Sequence, residues 1–349
     1  MGIHQIDPTR DMRWAALVER HPRSSVFHTV GWLQALRHSY GYEPVAFATS
    51  LPTGDLNHGL AFCCVDSWFT GRRLVSLPFS DHCEPLCDSR EELDFLARYV
   101  RTVIERQDLK YLEIRSKDQD LAGSDGKSGF SVASKYFFHS LSLRPDLDQL
   151  LRGFDKDCVQ RRIGRAQRAG LVEQCGRSEE LLKAFYTLFI ATRGRHHLPP
   201  SPYIWFQNLI KYLGDSMEIR LASKDGAPIA AILTLQFKDT TYYKYGCSDA
   251  RFNSFGAMPW LLWRAIVSAK SKGVLKFDLG RTEEDNPGLL TFKNHWDPRP
   301  GHLFYWRSCG APPIAATKGW QMRMAKRAFS MMPDIMLRVA GRLLYRHIG

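Results

Sequence analysis

From Glu43 onward, short runs of mainly apolar positions are separated by clusters of turn residues. Pro44–Thr49, Gly59–Asp66 and Arg72–Pro78 read as strands, punctuated by turn signals at Pro52-Thr53-Gly54-Asp55 and Thr70-Gly71. The pattern then takes the period of a helix over Glu91–Arg106, and a strand follows at Lys110–Arg115. The same order returns from Ser216: strand Met217–Ser223, turn Lys224-Asp225-Gly226, strands Pro228–Phe237 and Thr240–Cys247, helix Gly256–Lys272 and strand Leu275–Leu279. Few residues match between the two stretches, but the order and spacing of elements do, which predicts one α/β unit used twice.

Between them, Arg144-Pro145-Asp146 opens a helical stretch, Leu147–Ala169, with Gly170 as its C-terminal cap. The domain boundary is placed there, giving domains 1–145 and 146–310 and a tail 311–349. Helices at Ser178–Arg193 and Pro202–Leu213 precede the second sheet. Three antiparallel strands, a helix and a further strand is the central pattern of the GNAT fold. The expected architecture is therefore tandem duplicated GNAT-like domains, each a mixed, mostly antiparallel sheet flanked by helices.

Composition fits two globular cores: 349 residues, 44% hydrophobic and 24% charged. The N-terminal MGIHQIDPTRDMRW has no secretory h-region, and the longest apolar run, Ala227–Phe237, is far short of a bilayer span, so a cytoplasmic location is expected. The net charge of +12 calls for an anionic partner. Half of that excess lies in the tail, where Lys318, Arg323, Lys326, Arg327, Arg338, Arg342 and Arg346 face only Asp334. Apolar and basic residues alternate there at helical spacing, which suits either an anionic membrane surface, the inner face of the cytoplasmic membrane, or docking onto the protein body. The eight cysteines are expected reduced. His82, Cys83 and Cys87 form an HCxxxC cluster, but no second ligand pair of the usual kind follows it, so no metal is expected.

The strand-to-helix turn Tyr243–Ala257 contains Arg251, Ser254, Gly256 and Ala257 in the order of the GNAT pattern [RQ]xxGxG/A, with Ser where the first glycine belongs. Backbone amides at such a helix start hold the pyrophosphate of coenzyme A; a plain strand-helix connection is the other reading. Tyr243 and Tyr245 flank Lys244 on a strand, so alternation puts the tyrosines on one face, either lining a cleft or packed under a helix. In Phe277-Asp278-Leu279-Gly280-Arg281, alternation places Asp278 opposite the core, as a base, an amine anchor or a turn cap. Arg161, Arg162 and Arg165 suit bidentate clamping of a phosphate or carboxylate, or a charged solvated helix face. Asp81 and His82 follow a strand and suit acid/base work or a turn, while Arg281 and Lys293 read as anion contacts or basic surface and Trp296 as a substrate wall.

The run YYKYGCSDARFNSFGAMPWLLWRAIVSAKSKGVLKFDLGRTEEDNPGLLTFKNHWDPRP, with RRIGRAQRAGL and TRGRHHLPPSPYIWFQNLI upstream, resembles the FemAB branch of the GNAT superfamily. It is similar to CelD/BcsL-like and exosortase-associated FemAB proteins of envelope and exopolysaccharide gene clusters. The likeness is strong over 155–305 and weaker over 14–115, where GWLQALRHSYGYEP and SLPFSDHCEPL carry it. It implies transfer of an acyl group to an amine or amino sugar. The donor it implies is acyl-CoA (acetyl-CoA), an acyl carrier protein or, in the peptidoglycan branch, aminoacyl-tRNA. This chain has no coiled-coil arm of the kind some peptidoglycan members insert, which favours a thioester. By resemblance, Arg193 faces the acceptor. The expected activity is an N-acyltransferase acting on an envelope or exopolysaccharide precursor; the alternatives are a tRNA-dependent transferase and a non-catalytic assembly factor.

Overall fold

The computed structural model describes residues 2–50, 54–67, 71–107, 109–121, 129–308 and 345–347; nearly all of the expected amphipathic tail lies outside them. The chain divides into two compact units, Met1–Tyr136 with a segment beginning at His302, and Phe137–Gly301.

Unit one runs β1 (Gly2–Ile6), α1 (Met12–Arg20), α2 (Val30–Tyr40), β2 (Glu43–Ser50), β3 (Leu56–Val65), β4 (Arg73–Val75), α3 (Arg90–Arg106) and β5 (Leu112–Ser116). The chain continues into β6 (Phe130–Ser142), α4 (Leu147–Gly153), α5 (Arg161–Arg168), β7 (Val172–Gly176), α6 (Glu179–Arg195) and α7 (Tyr203–Leu213). Then come β8 (Met217–Lys224), β9 (Ala227–Phe237), β10 (Thr240–Ser248), α8 (Ala257–Ser271), β11 (Lys276–Thr282), α9 (Pro287–Asn294) and β12 (Arg299–Ser308).

Each unit repeats one strand order. In unit one it is β1-β2-β3-β4-β5-β12; in unit two it is β7-β8-β9-β10-β11-β6. The pairs β4–β5 and β10–β11 are parallel, and each is joined through a helix, α3 or α8, as a parallel pair requires. The other pairs are antiparallel. The last strand of each sheet comes from the far side of the other unit's sequence: β6 follows β5 in the chain yet pairs with β11, and β12 follows α9 yet pairs with β5. The core of unit two packs α5 and α8 onto the sheet through Ile163, Ala166, Leu261, Leu262 and Ile266 against Ala230, Ile232, Phe277 and Leu279. Among the described residues no helix is long and apolar enough to cross a membrane.

Candidate functional site

Strands β10 and β11 run side by side only briefly, Thr240–Tyr242 against Lys276–Asp278. Where that pairing ends, both strands are irregular. In β10 the register to β9 shifts between Tyr243, opposite Thr234, and Tyr245, opposite Leu233. In β11 the register to β6 shifts between Asp278 and Gly280. Each bulge inserts an extra residue, and the two re-aim the side chains beyond them.

The bulge overturns the expectation that the two tyrosines share a face. Tyr243 packs with the α5/α8 core, its hydroxyl lying over Gly246 beside Met258. Burial pushes its phenol pKa up, so it stays protonated. Tyr245 lies instead among Phe189 of α6 and Phe206 of α7, with ring centroids 5.6 and 5.2 Å away, and its hydroxyl accepts a 2.9 Å hydrogen bond from Trp205 Nε1. Lys244 is the extra residue between them.

Gly256 precedes helix α8 as its N-cap residue; its backbone is left-handed (φ 77°) and it offers no side-chain cap. Glycine is needed there twice over, because a Cβ would also come within 2.5 Å of the Arg162 carbonyl oxygen. The backbone of α5 thus abuts the start of α8. At this junction lies a cavity of about 590 Å³, lined by Cys158, Arg162, Ser248, Asn253, Ala257–Pro259 of α8, Gly288 and His295 among others. The first amides of a helix lack internal partners and carry a partial positive charge, so they favour an anion. Arg162 adds a full positive charge, and it pairs with no carboxylate among the described residues.

Of the expected donor-binding residues, Ala257 lines the cavity and Gly256 forms its turn. Arg251, 82% exposed in its side chain, forks onto the carboxylate of Asp249, and the exposed Ser254 gives its carbonyl to Arg165 at 3.0 Å. Of the three candidate clamp arginines, Arg162 reaches the cavity while Arg161 pairs with Asp157. Arg193 donates to the Pro199 carbonyl and closes the loop after α6.

Asp278 is buried, and its carboxylate accepts from the amide of Gly280 at 2.7 Å, holding the β11 bulge. Lys293 is also buried and donates to the carbonyls of Gly280 and Arg281 at 3.1 and 2.7 Å. Arg281 is half-buried on the same strand. Trp296, at 0% exposure, packs its ring on Phe154 with centroids 5.0 Å apart, in the core rather than on the cavity wall. Asp81 and His82 belong to unit one, where the Asp81 carbonyl accepts from the Tyr305 hydroxyl and the buried His82 meets Phe27 edge-on. In the HCxxxC segment Cys83 and Cys87 are buried, and burial pushes the Cys87 thiol up to about 12.

Two features of the cavity wall were not singled out in the sequence, Cys158 and His295. With Asp155 they bring a thiol, an imidazole and a carboxylate within 4.8 Å of one another. Burial, then the Asp155 carboxylate, push the Cys158 thiol up. Asp155 and Cys158 are close in sequence, but no spacing would have joined the distant His295 to them; α9 does, by returning to the turn before α5.

Two α/β units of one topology, each with a parallel strand pair bridged by a helix, make this a duplicated GNAT fold. Residues 157–294 match the family model described as acetyltransferase (GNAT) domain. A crystal structure of FemX superposes with a TM-score of 0.69 at 14% identity, covering 87% of this chain and 97% of that one. A tandem GNAT protein from the clavulanic acid biosynthesis pathway gives 0.56 at 12% identity, covering 89% and 99%. The structure of L-PGS from Bacillus licheniformis gives 0.57 at 15%, covering 93% and 98%. At these identities the likeness is one of fold. No curated protein sequence matches the chain.

Proposed function

We propose that the Phe137–Gly301 unit transfers an acyl group from a coenzyme A thioester to an amine, with an amino sugar of an envelope or exopolysaccharide precursor as the acceptor class. The observation that carries this reading is the cavity at the uncapped start of α8, where Arg162 and the amides after Gly256 suit a pyrophosphate. The matched GNAT acetyltransferase model spans this same stretch.

The chemistry needs the amine and thioester carbonyl in contact, a hydrogen bond for the developing oxyanion, and a proton for the departing thiolate. Tyr243 is the proton donor in this reading. Its phenol lies beside Met258 of the cavity wall. The amine nitrogen attacks the carbonyl carbon, the C–S bond breaks, and the thiolate takes the Tyr243 proton; the proton lost by the amine, relayed through solvent or the acceptor's own groups, restores the Tyr243 phenol. Tyr245 holds Trp205 and the aromatic layer under β10 and takes no part.

The test is the melting temperature of the purified protein with coenzyme A, acetyl-coenzyme A and a nonhydrolysable aminoacyl-tRNA mimic, since a ligand that binds only the native state raises it. Stabilisation by the coenzyme A species supports the reading. A response to the tRNA mimic alone replaces the donor by aminoacyl-tRNA, and a response to none removes coenzyme A from the proposal. Once an acceptor is in hand, Tyr243→Phe should lower kcat roughly 100-fold or more while leaving coenzyme A binding intact.

A further inference from the structure

The cavity wall carries a second chemistry that acyl transfer does not use. Asp155 caps the π-helical turn Lys156–Gln160: one carboxylate oxygen accepts from the amides of Asp157 and Cys158 at 2.9 and 2.6 Å, leaving the other oxygen outside those bonds. Cys158 lies within that turn. His295 closes α9, and its carbonyl accepts from the Asp155 amide at 2.9 Å, which ties the third residue of the cluster to the first. All three are half-buried, and Cys158 and His295 line the cavity.

We propose that Asp155, Cys158 and His295 bind a divalent ion of the zinc class, with a fourth coordination position open to the cavity. One thiolate, one imidazole and one carboxylate make a mixed donor set that suits zinc and its cobalt surrogate and disfavours magnesium or calcium. Three protein ligands with one position left for water or a small ligand is the arrangement of open zinc sites. The donor atoms lie within 4.8 Å of one another, so the point nearest all three is no more than about 2.8 Å from each, against ~2.0–2.3 Å for zinc bonds. Closing that gap takes about half an ångström, within reach of a half-exposed imidazole. Charge balances as well: a carboxylate and a thiolate neutralise a dication, and the thiol proton is released to solvent on binding.

A nucleophilic cysteine is the competing reading of the same three residues. A carboxylate beside a thiol opposes the thiolate a nucleophile needs, whereas a cation between them removes that opposition. The other such cluster among the described residues, His58, Asp88 and Glu92, is already spent: Glu92 accepts from the Ser89 amide at 2.9 Å and meets His58 Nε2 at 2.7 Å, and Asp88 faces His21 at 3.4 Å.

Cobalt(II) titration of the reduced, metal-free full-length protein tests the site without any activity assay. One equivalent should produce a near-ultraviolet thiolate-to-cobalt band and visible bands of tetrahedral intensity, both bleached by zinc. Cys158→Ser should abolish the near-ultraviolet band, and Cys175→Ser, at an exposed thiol, should retain it. Asp155→Asn and His295→Gln should weaken binding at least tenfold. The metal-free melting temperature of Cys158→Ser, expected to equal that of the parent, separates loss of a ligand from loss of the fold. No band in excess cobalt, or a band that survives Cys158→Ser, overturns the site. Visible bands that do not shift on adding azide overturn the open position.

Discussion

Gly256→Ala puts a single methyl group into the junction on which the proposed donor site depends. Two costs add. The left-handed backbone at φ 77° penalises any residue with a Cβ by about 1–2 kcal/mol. The new methyl also lies 2.5 Å from the carbonyl oxygen of Arg162, and that contact is backbone, which cannot swing aside as a flexible side chain would. Relieving it moves α5 and α8 apart, an overpacking cost of about 1–3 kcal/mol. The sum, about 2–5 kcal/mol, corresponds to a fall of roughly 5–15 °C in the melting temperature of a unit of this size. Gly256→Asn separates the terms: asparagine tolerates the left-handed conformation but still carries a Cβ, so it should recover only the backbone part. Calorimetry on the three proteins, together with coenzyme A binding by each, reads both effects. If Gly256→Ala melts within a degree of the parent and binds coenzyme A undiminished, the close approach of α5 to the start of α8 is not what shapes this site.

Three further outcomes follow from the same geometry. Arg162→Ala should weaken coenzyme A binding about tenfold, the worth of a charge-assisted hydrogen bond, and the loss should shrink as salt is raised; an unchanged dissociation constant by calorimetry would remove Arg162 from the site. Tyr245→Phe deletes the acceptor for the buried Trp205 indole N–H and should cost about 1–3 kcal/mol in a urea melt while sparing kcat, the reverse of Tyr243→Phe. Stability should fall with acid in two steps. Burial holds His28 down to about 4 from 6.5, so the unfolded chain takes up a proton first, and about 3 kcal/mol is lost between pH 6.5 and 4. Burial alone would raise Glu113, but Arg115 and Arg307 hold it down to about 2 from 4.5, so its stabilisation, present above pH 4.5, is lost as pH falls through 2. A flat denaturation profile from pH 7 to 4 would contradict the first step.

The strands β2, β3, β8 and β9 and the helices α3 and α8 were legible in sequence to within a few residues, the strands because they are buried along most of their length and read as short apolar runs between turn signals. The exchange of β6 and β12 was not: Phe130–Ser142 and Arg299–Ser308 mix polar and apolar residues with mixed burial and do not stand out as strands in the sequence, and a strand's pattern would in any case not say with which sheet it pairs. Alternation also failed where it mattered most. It put Tyr243 and Tyr245 together, but the extra residue at Lys244 turns the strand over, and one inserted residue in a period of two sends every later side chain to the other face. Trp296 and Lys293 failed for a related reason. An aromatic and a cation after the candidate strand read as a substrate wall and an anion contact, yet Trp296 fills the core beside Phe154 and Lys293 donates to the carbonyls of Gly280 and Arg281.

Because the fold is used twice, unit one serves as a control for the reading of unit two. Helix α3 occupies in its sheet the place that α8 occupies in the other, between the two parallel strands. Its start is sealed from within: Ser89 caps the first turn, and the Glu92 carboxylate accepts from the amides of Ser89 and Asp88, occupying the positive end of the helix with the chain's own anion. At α8 both devices are missing. A glycine replaces the capping serine, and the third helical position is Pro259, which has neither a carboxylate to fold back nor an amide to be satisfied. A helix start left open inside a folded unit is a cost unless something else fills it. In unit two the candidate is an anion in the adjoining cavity, and the absence of a self-cap, more than the match to any motif, is why the proposal puts the donor in this half.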